Sequence, residues 1–403
     1  MMDAQWRRSC AWLLLALVLV LLMGGCRQEQ QGHWEPVTPL PVISRIDAAV
    51  LIQPGAYSGL AGGKVLVLGS RKAGDEPPRF EEQAAIYDQQ ANQWQSVAVM
   101  HEPRYGYQAL SLIGGHVLVV GGMQMRDGRP YSVEHLEVYD PQENSWAVVE
   151  PPHAMEPHGA VALPDGRALV VGRRLLRGAV GEPMGMAAIY DPVARLWQQI
   201  SPYADEATVF APHLQLLQDG RVWLFGVSDM RMARESVLMY DLQEGRWTQA
   251  MPWKHVWQKF GQAMLHDGRV MLAGGIGKMD LIGDDAEVIG ACALFDPASG
   301  KWQEGEPMLQ PRVNHSTTLL ADGRVLVAGG RAQQLRYDQA PQSSALSAVE
   351  IYDPVLRRWE VGVPLPQARA GHHALLLPDQ RVLVIGGVGS DGTPLPALLY
   401  EEK

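Results

Sequence analysis

Asp322-Gly323-Arg324-Val325-Leu326-Val327-Ala328-Gly329-Gly330 is followed by Tyr352-Asp353-Pro354 and then, seven residues after the tyrosine, by Trp359. Asp-Gly suits a tight hairpin turn. Val325–Ala328 is a continuous apolar run, as expected of a strand buried on both faces. The diglycine after it permits close backbone approach. In Asp353-Pro354 the proline fixes the backbone angle and the aspartate bonds nearby amides, which opens a second turn. Upstream, His315–Leu320 reads as a short strand, and Trp359 begins a further one. The segment is therefore four antiparallel strands joined by turns.

The same unit recurs along the chain. Aromatic-Asp pairs stand at Tyr87-Asp88, Tyr139-Asp140, Tyr190-Asp191, Tyr240-Asp241, Phe295-Asp296 and Tyr352-Asp353, and Trp94, Trp146, Trp197, Trp247, Trp302 and Trp359 follow each by seven residues. Runs equivalent to the one at Asp322 begin at Gly62, Gly114, Asp165, Asp219, Asp267 and Asp379. A period of about 50 residues is the mark of a repeat architecture. Tyrosine and tryptophan at this spacing can meet across the hairpin and supply the surface that packs one sheet on the next.

These residues resemble the kelch repeat, which carries the same diglycine, Tyr-Asp and spaced tryptophan. The resemblance extends over nearly all of the chain beyond its N-terminal segment. It implies an all-β fold: a seven-bladed kelch-type β-propeller of four-stranded antiparallel blades. Six units are complete. A seventh has its second strand at Arg381–Gly387 and its third at Leu398–Glu401, where the chain stops. Trp34-Glu35-Pro36-Val37-Thr38-Pro39-Leu40-Pro41 resembles the fourth-strand segment Trp359–Pro366, so the N-terminal strand is expected to close the last blade and remove the open sheet edges. Gly69-Ser70, Gly172-Arg173 and Gly226-Val227 lack the second glycine, and a different inner geometry is expected in those blades.

Composition agrees with an ordered chain: 47% of 403 residues are hydrophobic and 19% charged. Asp and Glu outnumber Lys and Arg by 44 to 34, a formal charge of -10, which argues against nucleic acid as a partner. Three cysteines cannot form a disulfide framework. Cys292 falls in an apolar strand and reads as inert core.

Arg7 and Arg8 precede an uncharged stretch with an apolar centre at Ala11–Met23, which reads as an export signal over residues 1–25. Leu22-Met23-Gly24-Gly25-Cys26 resembles a bacterial lipobox, which implies lipidation of Cys26, a short linker over 26–33 and the propeller over 34–403. An uncleaved signal anchor is the alternative. Arg27 after the cysteine resembles the outer-membrane sorting pattern. The expectation is an exported lipoprotein, periplasmic or at the cell surface, held to the membrane by its lipid alone.

Strand alternation puts the 1–2 and 3–4 turns on one rim and the 2–3 and 4–1 loops on the other. From the first glycine closing the second strand to the aromatic of the Tyr-Asp pair, the separation varies from 14 to 23 residues. Unequal loops on a rigid scaffold mark the rim that binds. Near that rim stand Arg45, Arg104, Arg312 and Arg369, with Trp257 in the corresponding region of another blade. His315 and His372 follow three residues after their arginines, Tyr107 and Phe260 hold parallel places, and His158 and His213 lie close to the same level. As a ring around the channel mouth, these guanidinium and imidazole groups would grip carboxylates. Alternatively they bond backbone carbonyls and stack between blades, which repetition of one residue type around a ring favours. A second repeated cation after the 1–2 turn (Lys64, His116, Arg167, Arg221, Arg269, Arg324, Arg381) reads as ion-pairing surface.

Catalytic signatures do not emerge: there is no His-Glu-x-x-His, no Gly-x-Ser-x-Gly and no phosphate-cradling loop. Asp280, Asp284, Asp285 and Glu287 offer oxygen ligands for calcium but lack EF-hand order, so a solvated acidic loop is the simpler reading. Galactose oxidase has a kelch-type propeller too, but its copper ligands are not assignable from this sequence, and its Tyr–Cys crosslink would need Cys292, which sits in an apolar strand. No cofactor or metal is expected. The first expectation is a non-catalytic module that recognises an envelope protein or acidic glycan at the long-loop rim. The alternative is a periplasmic sugar-modifying enzyme resembling the kelch-type sialic-acid epimerases, which would need an acid or base beside the arginines.

Overall fold

Seven antiparallel sheets of four strands follow one another around a closed ring. The computed structural model describes residues 32–403 apart from 42, 44, 54–62, 74–78, 127–128, 153–154, 175–184, 204–207, 230–233, 252, 254–256, 278–286, 334–344 and 403. The export segment, Cys26, and Asp280, Asp284 and Asp285 of the acidic loop lie outside the described residues.

Blade 1 comprises Arg45–Leu51, Lys64–Ala73, Arg79–Asp88 and Gln93–Ser96. Blade 2 comprises Gln108–Ser111, Val117–Val120, Leu136–Asp140 and Ser145–Val149, and blade 3 Met155–Ala162, Ala168–Arg174, Gly185–Asp191 and Leu196–Gln199. Blade 4 uses Thr208–Leu216, Val222–Asp229, Arg234–Asp241 and Arg246–Gln249. Blade 5 uses Gly261–Met264, Val270–Ala273, Cys292–Asp296 and Lys301–Gly305. Ser316–Leu319, Val325–Ala328, Val349–Asp353 and Arg358–Val361 form blade 6. Blade 7 joins Ala370–Leu376, Val382–Val388 and Leu398–Glu401 to the N-terminal strand His33–Pro36, which pairs antiparallel with the last of them.

Burial follows from this order. The second strands, such as Val117–Val120 and Val325–Ala328, are covered on both faces and buried throughout. Apolar cores sit between successive blades, and the one between blades 7 and 1 brings Leu383, Ile385 and Leu399 against Val65, Val67 and Tyr87. That contact closes the ring. Full burial of each such side chain is worth about 1.5–3 kcal/mol.

In blades 1 to 6 the aromatic and the tryptophan seven residues on lie directly opposite in the third and fourth strands, as in Tyr352 and Trp359, 5.1 Å between ring centroids. The tryptophans also connect blades. The indole N–H of Trp146 donates to Ala98 O at 2.8 Å, that of Trp302 to Met251 O at 3.0 Å and that of Trp359 to Glu306 O at 2.7 Å, each carbonyl lying just beyond the outer strand of the preceding blade.

The diglycines do local work. Gly329 and Gly330 have φ of +62° and +97°, and a Cβ on Gly330 would lie 2.8 Å from Val313 O. In blades 2, 5 and 6 the second strand ends at such a pair. Where the second glycine is missing, in blades 1, 3 and 4, the strand continues to Ala73, Arg174 and Asp229. The expected difference in inner geometry is thus a longer hairpin rising from the 2–3 rim. Blade 2 adds a separate ribbon there, Met123–Arg126 paired with Arg129–Ser132.

Candidate functional site

The arginines near the long-loop rim divide into two kinds. Arg104, Arg312 and Arg369 each precede the first glycine of a diglycine by 17 residues, and the fold uses them identically at one end. Nη1 of Arg312 donates to Gly329 O at 3.0 Å and to Ala348 O at 2.8 Å. Nη1 of Arg104 donates to Gly121 O and His135 O, and that of Arg369 to Gly386 O and Pro396 O. Trp257 has the same 17-residue offset from Gly274 and donates its indole N–H to Gly274 O. It takes the arginine's place with one donor instead of a fork. These residues latch the first strand's approach to the end of the second.

The other end of each fork depends on a residue two before the aromatic. Glu137 accepts Nη2 of Arg104 at 2.7 Å, and Glu350 accepts Nη2 of Arg312. Each carboxylate also accepts backbone amides, from His101 and Glu102 in blade 2 and from Leu309 and Gln310 in blade 6. Blade 7 has Leu398 at the glutamate's position and Pro366, which has no N–H, at that of Leu309. The Nε and Nη2 of Arg369 accordingly have no hydrogen-bond partner among the described residues. Burial lowers its pKa to about 10. Arg312 and Arg369 are 0% exposed and Arg104 3%, so the latch arginines do not present their charge to a ligand in solution.

The imidazoles also serve the blades. Nε2 of His372 meets Ser316 Oγ at 2.9 Å, and Nε2 of His315 meets Ala273 O at 3.2 Å, each reaching the preceding blade. The His213 ring packs at a tilt, 4.2 Å between centroids, against that of Phe260 in the next blade. Burial pushes His315 and His372 down to about 3 and His213 to about 4, so all three are neutral at physiological pH. His158 lies 3.4 Å from Glu156, and Arg173 holds the same carboxylate at 2.5 Å. Burial works against the Glu156 anion, but hydrogen bonds from His158, Ser132 and Arg173 bring its pKa down to about 2.

Arg45 differs from the other three. Its side chain is 54% exposed, its Nε lies 2.9 Å from Asp47 Oδ1, and its guanidinium covers the Tyr105 ring of blade 2 at 5.7 Å. Beneath it is a cluster that sequence reading did not find. Asp47, 6% exposed in its side chain, has its pKa raised by burial against the pull of Arg45. Burial and the Asp47 charge raise Glu82 to about 7, in the field of Arg104 and Glu137. Tyr107, 8% exposed, has a hydroxyl with no hydrogen-bond partner among the described residues, and Asp47 and Glu82 are the charges acting on it most strongly. An ionisable carboxyl pair therefore stands beside Arg45 and Arg104, at the junction of blades 1 and 2. Its sequence signals are scattered: one carboxylate in a first strand, and one in a third strand at an offset from the tyrosine that Glu134 and Glu235 share, so neither residue stands out as half of a pair.

On the opposite rim the repeated arginines pair inside their own turns, while Lys64 and His116 reach Asp88 and Asp140 at the ends of their third strands. Arg221, Arg269 and Arg381 contact Asp219, Asp267 and Asp379 at 2.6–2.7 Å, and Arg221 also donates to Pro297 O of the next blade. His33, Glu35 and Glu401 bring three potential ligand atoms within 4.8 Å of one another at the outer edge of blade 7. The Cys292 thiol is 3% exposed in the core between blades 5 and 6, and burial pushes it up to about 12.

With this geometry in place, comparison with known proteins agrees with the repeat reading. Residues 104–153 match the Kelch motif. The chain is 25% identical to the human Kelch-like protein 38 over 318 residues, 78% of this chain and 49% of that protein. It is 24% identical to the rat Kelch-like protein 36 over 277 residues, 66% of this chain and 41% of that one. It thus spans about half the length of these relatives or less. Among solved structures it resembles a novel fungal alcohol oxidase of the AA5 family, in complex with copper, with TM-score 0.67, 17% identity, and coverage of 92% of this chain and 76% of the other. That similarity concerns the fold. The chain is a seven-bladed β-propeller whose repeats are similar to the kelch motif.

Proposed function

We propose that the protein is a non-catalytic binding scaffold, displayed on the cell envelope through a lipid on Cys26, that grips a protein or glycan with its long-loop rim. The observation that carries this reading is the inequality of that rim: a ring of nearly uniform blades bears 2–3 hairpins of different reach and an extra ribbon, Met123–Ser132. Likeness to Kelch-like proteins supports the scaffold reading. The copper of the fungal neighbour is not carried over, because Cys292 is core and the described His/carboxylate triad lies at the outer edge of blade 7. The test is a pulldown from solubilised envelope with the wild type and with the ribbon replaced by a short turn. A partner retained equally by both proteins, or none retained by either, overturns the rim reading.

A second reading, a sugar-modifying enzyme, is favoured by the Asp47–Glu82 pair, since a carboxyl titrating near 7 suits general acid–base work. NMR of a carboxylated sugar incubated with the protein tests it. Conversion that is lost in Glu82→Gln supports the reading, and no conversion ends it.

A further inference from the structure

We infer that the junction of blades 1 and 2 is a receptor for a cationic side chain, a lysine or arginine of a protein partner, whose place Arg45 takes in the free protein. The inference rests on the scaffold reading and names the chemistry of its partner.

Charge count at the junction carries the argument. Arg104 is engaged by Glu137 and by backbone carbonyls, and Arg45 by Asp47, which leaves Glu82 without a guanidinium of its own among the described residues. Among the described residues two guanidiniums, Arg45 and Arg104, thus answer three carboxyls, Asp47, Glu137 and Glu82, and Glu82 avoids an uncompensated charge by holding a proton. Tyr107 adds an independent sign. Its hydroxyl is buried beside the pair with no hydrogen-bond partner among the described residues, although the large majority of buried hydroxyls find one. The aromatic face of Tyr105 completes the surroundings, a surface suited to guanidinium or ammonium.

Arg45 already shows how such a ligand would sit, against Asp47 and over Tyr105, and its exposed side chain is free to swing toward solvent. An anion would meet two carboxyls here, and a neutral sugar would leave the deficit unfilled. An entering cation favours the ionised form of Glu82, so binding releases its proton. The groups that tune this titration are Asp47 on the first strand of blade 1, itself held by Arg45, and Arg104 and Glu137 from blade 2, while the Tyr107 hydroxyl feels Asp47 and Glu82 in turn.

The experiment titrates the whole protein with N-acetyl-arginine amide, and with the uncharged N-acetyl-citrulline amide as control, by saturation-transfer NMR at fixed ionic strength from pH 5 to 8. Arginine amide is expected to bind at pH 8 and to lose up to about tenfold in affinity for each pH unit below 7, the slope of one linked proton. Citrulline amide is expected to bind weakly with no slope. Glu82→Gln copies the protonated acid without changing its shape, and should bind arginine amide at the low-pH level throughout. Asp47→Asn should weaken binding at every pH. Equal binding of the two amides, or an unchanged slope in Glu82→Gln, overturns the receptor. If the envelope pulldown retains a partner on the wild type and on Glu82→Gln alike, the scaffold stands and the receptor falls. If it retains nothing, the scaffold reading falls, and the amide titration still decides the receptor.

Discussion

Trp34, near the start of the described chain, lies directly opposite Tyr400, near its end, with the two rings 4.9 Å apart. The other six blades make the same contact within one hairpin, between residues seven apart in sequence. In blade 7 it joins the two ends of the propeller, and the indole N–H of Trp34 donates to Val363 O of blade 6 at 3.0 Å. Ring closure is therefore chemically the same event as blade formation.

The first prediction follows from that equivalence. Trp34→Ala removes a half-buried ring and an interblade hydrogen bond, and should cost about 2–4 kcal/mol. Deleting residues 34–40 should abolish the single cooperative transition or cause aggregation, because it exposes the edge strand Leu398–Glu401. Urea melts followed by tryptophan fluorescence measure both, and an unchanged midpoint in either variant would refute closure by this strand.

A second prediction separates the latch arginines by their partners. Arg312→Met leaves the Glu350 carboxylate buried without its cation, and should cost about 3–5 kcal/mol. Arg369→Met removes a cation that has no carboxylate partner among the described residues, so its cost should be less than half of that. Equal losses in paired melts would show that the carboxylate is irrelevant to the latch.

The buried imidazoles set the response to acid. In the folded protein His213, His315 and His372 stay neutral down to about 4, 3 and 3, while the unfolded chain takes up protons near 6.5. The unfolded state binds more protons in this window, so stability is full above 6.5 and falls as pH drops toward 4. Each imidazole should cost about 2 kcal/mol between pH 7 and 5. Glu82 acts in the opposite sense, since its raised pKa adds stability as pH falls from 7 toward 4.5, but one partly exposed carboxyl does not cancel three imidazoles. Denaturation midpoints at pH 7, 6 and 5 should therefore decrease. His213→Phe, which keeps the packing on Phe260, should make that decrease shallower by one proton.

The diglycine makes a sharper backbone prediction. Gly329→Ala demands a positive φ from a residue with a Cβ and sets that atom 2.5 Å from Arg369 O in the next blade, so a loss of about 2–4 kcal/mol is expected. Wild-type stability in this variant would mean that blades 6 and 7 do not approach as closely as described.

Period and spacing by themselves determined the strand order of each blade, the number of blades, the Tyr–Trp contact and the join between the termini. Those relationships are local or repeated, so one chemical reason governs seven copies and shows as a pattern. The outer half of the latch was legible in principle, since an acidic residue interrupts the apolar third strand in Leu136-Glu137-Val138 and in Val349-Glu350-Ile351. What that residue does depends on an arginine 33 or 38 positions away. Only the folded ring decided that three of the four rim arginines are buried, that the imidazoles are neutral, and that Arg45 belongs with Asp47, Glu82 and Tyr107. Burial and charge balance arise where two blades meet, between residues distant in the chain, and no period carries that information.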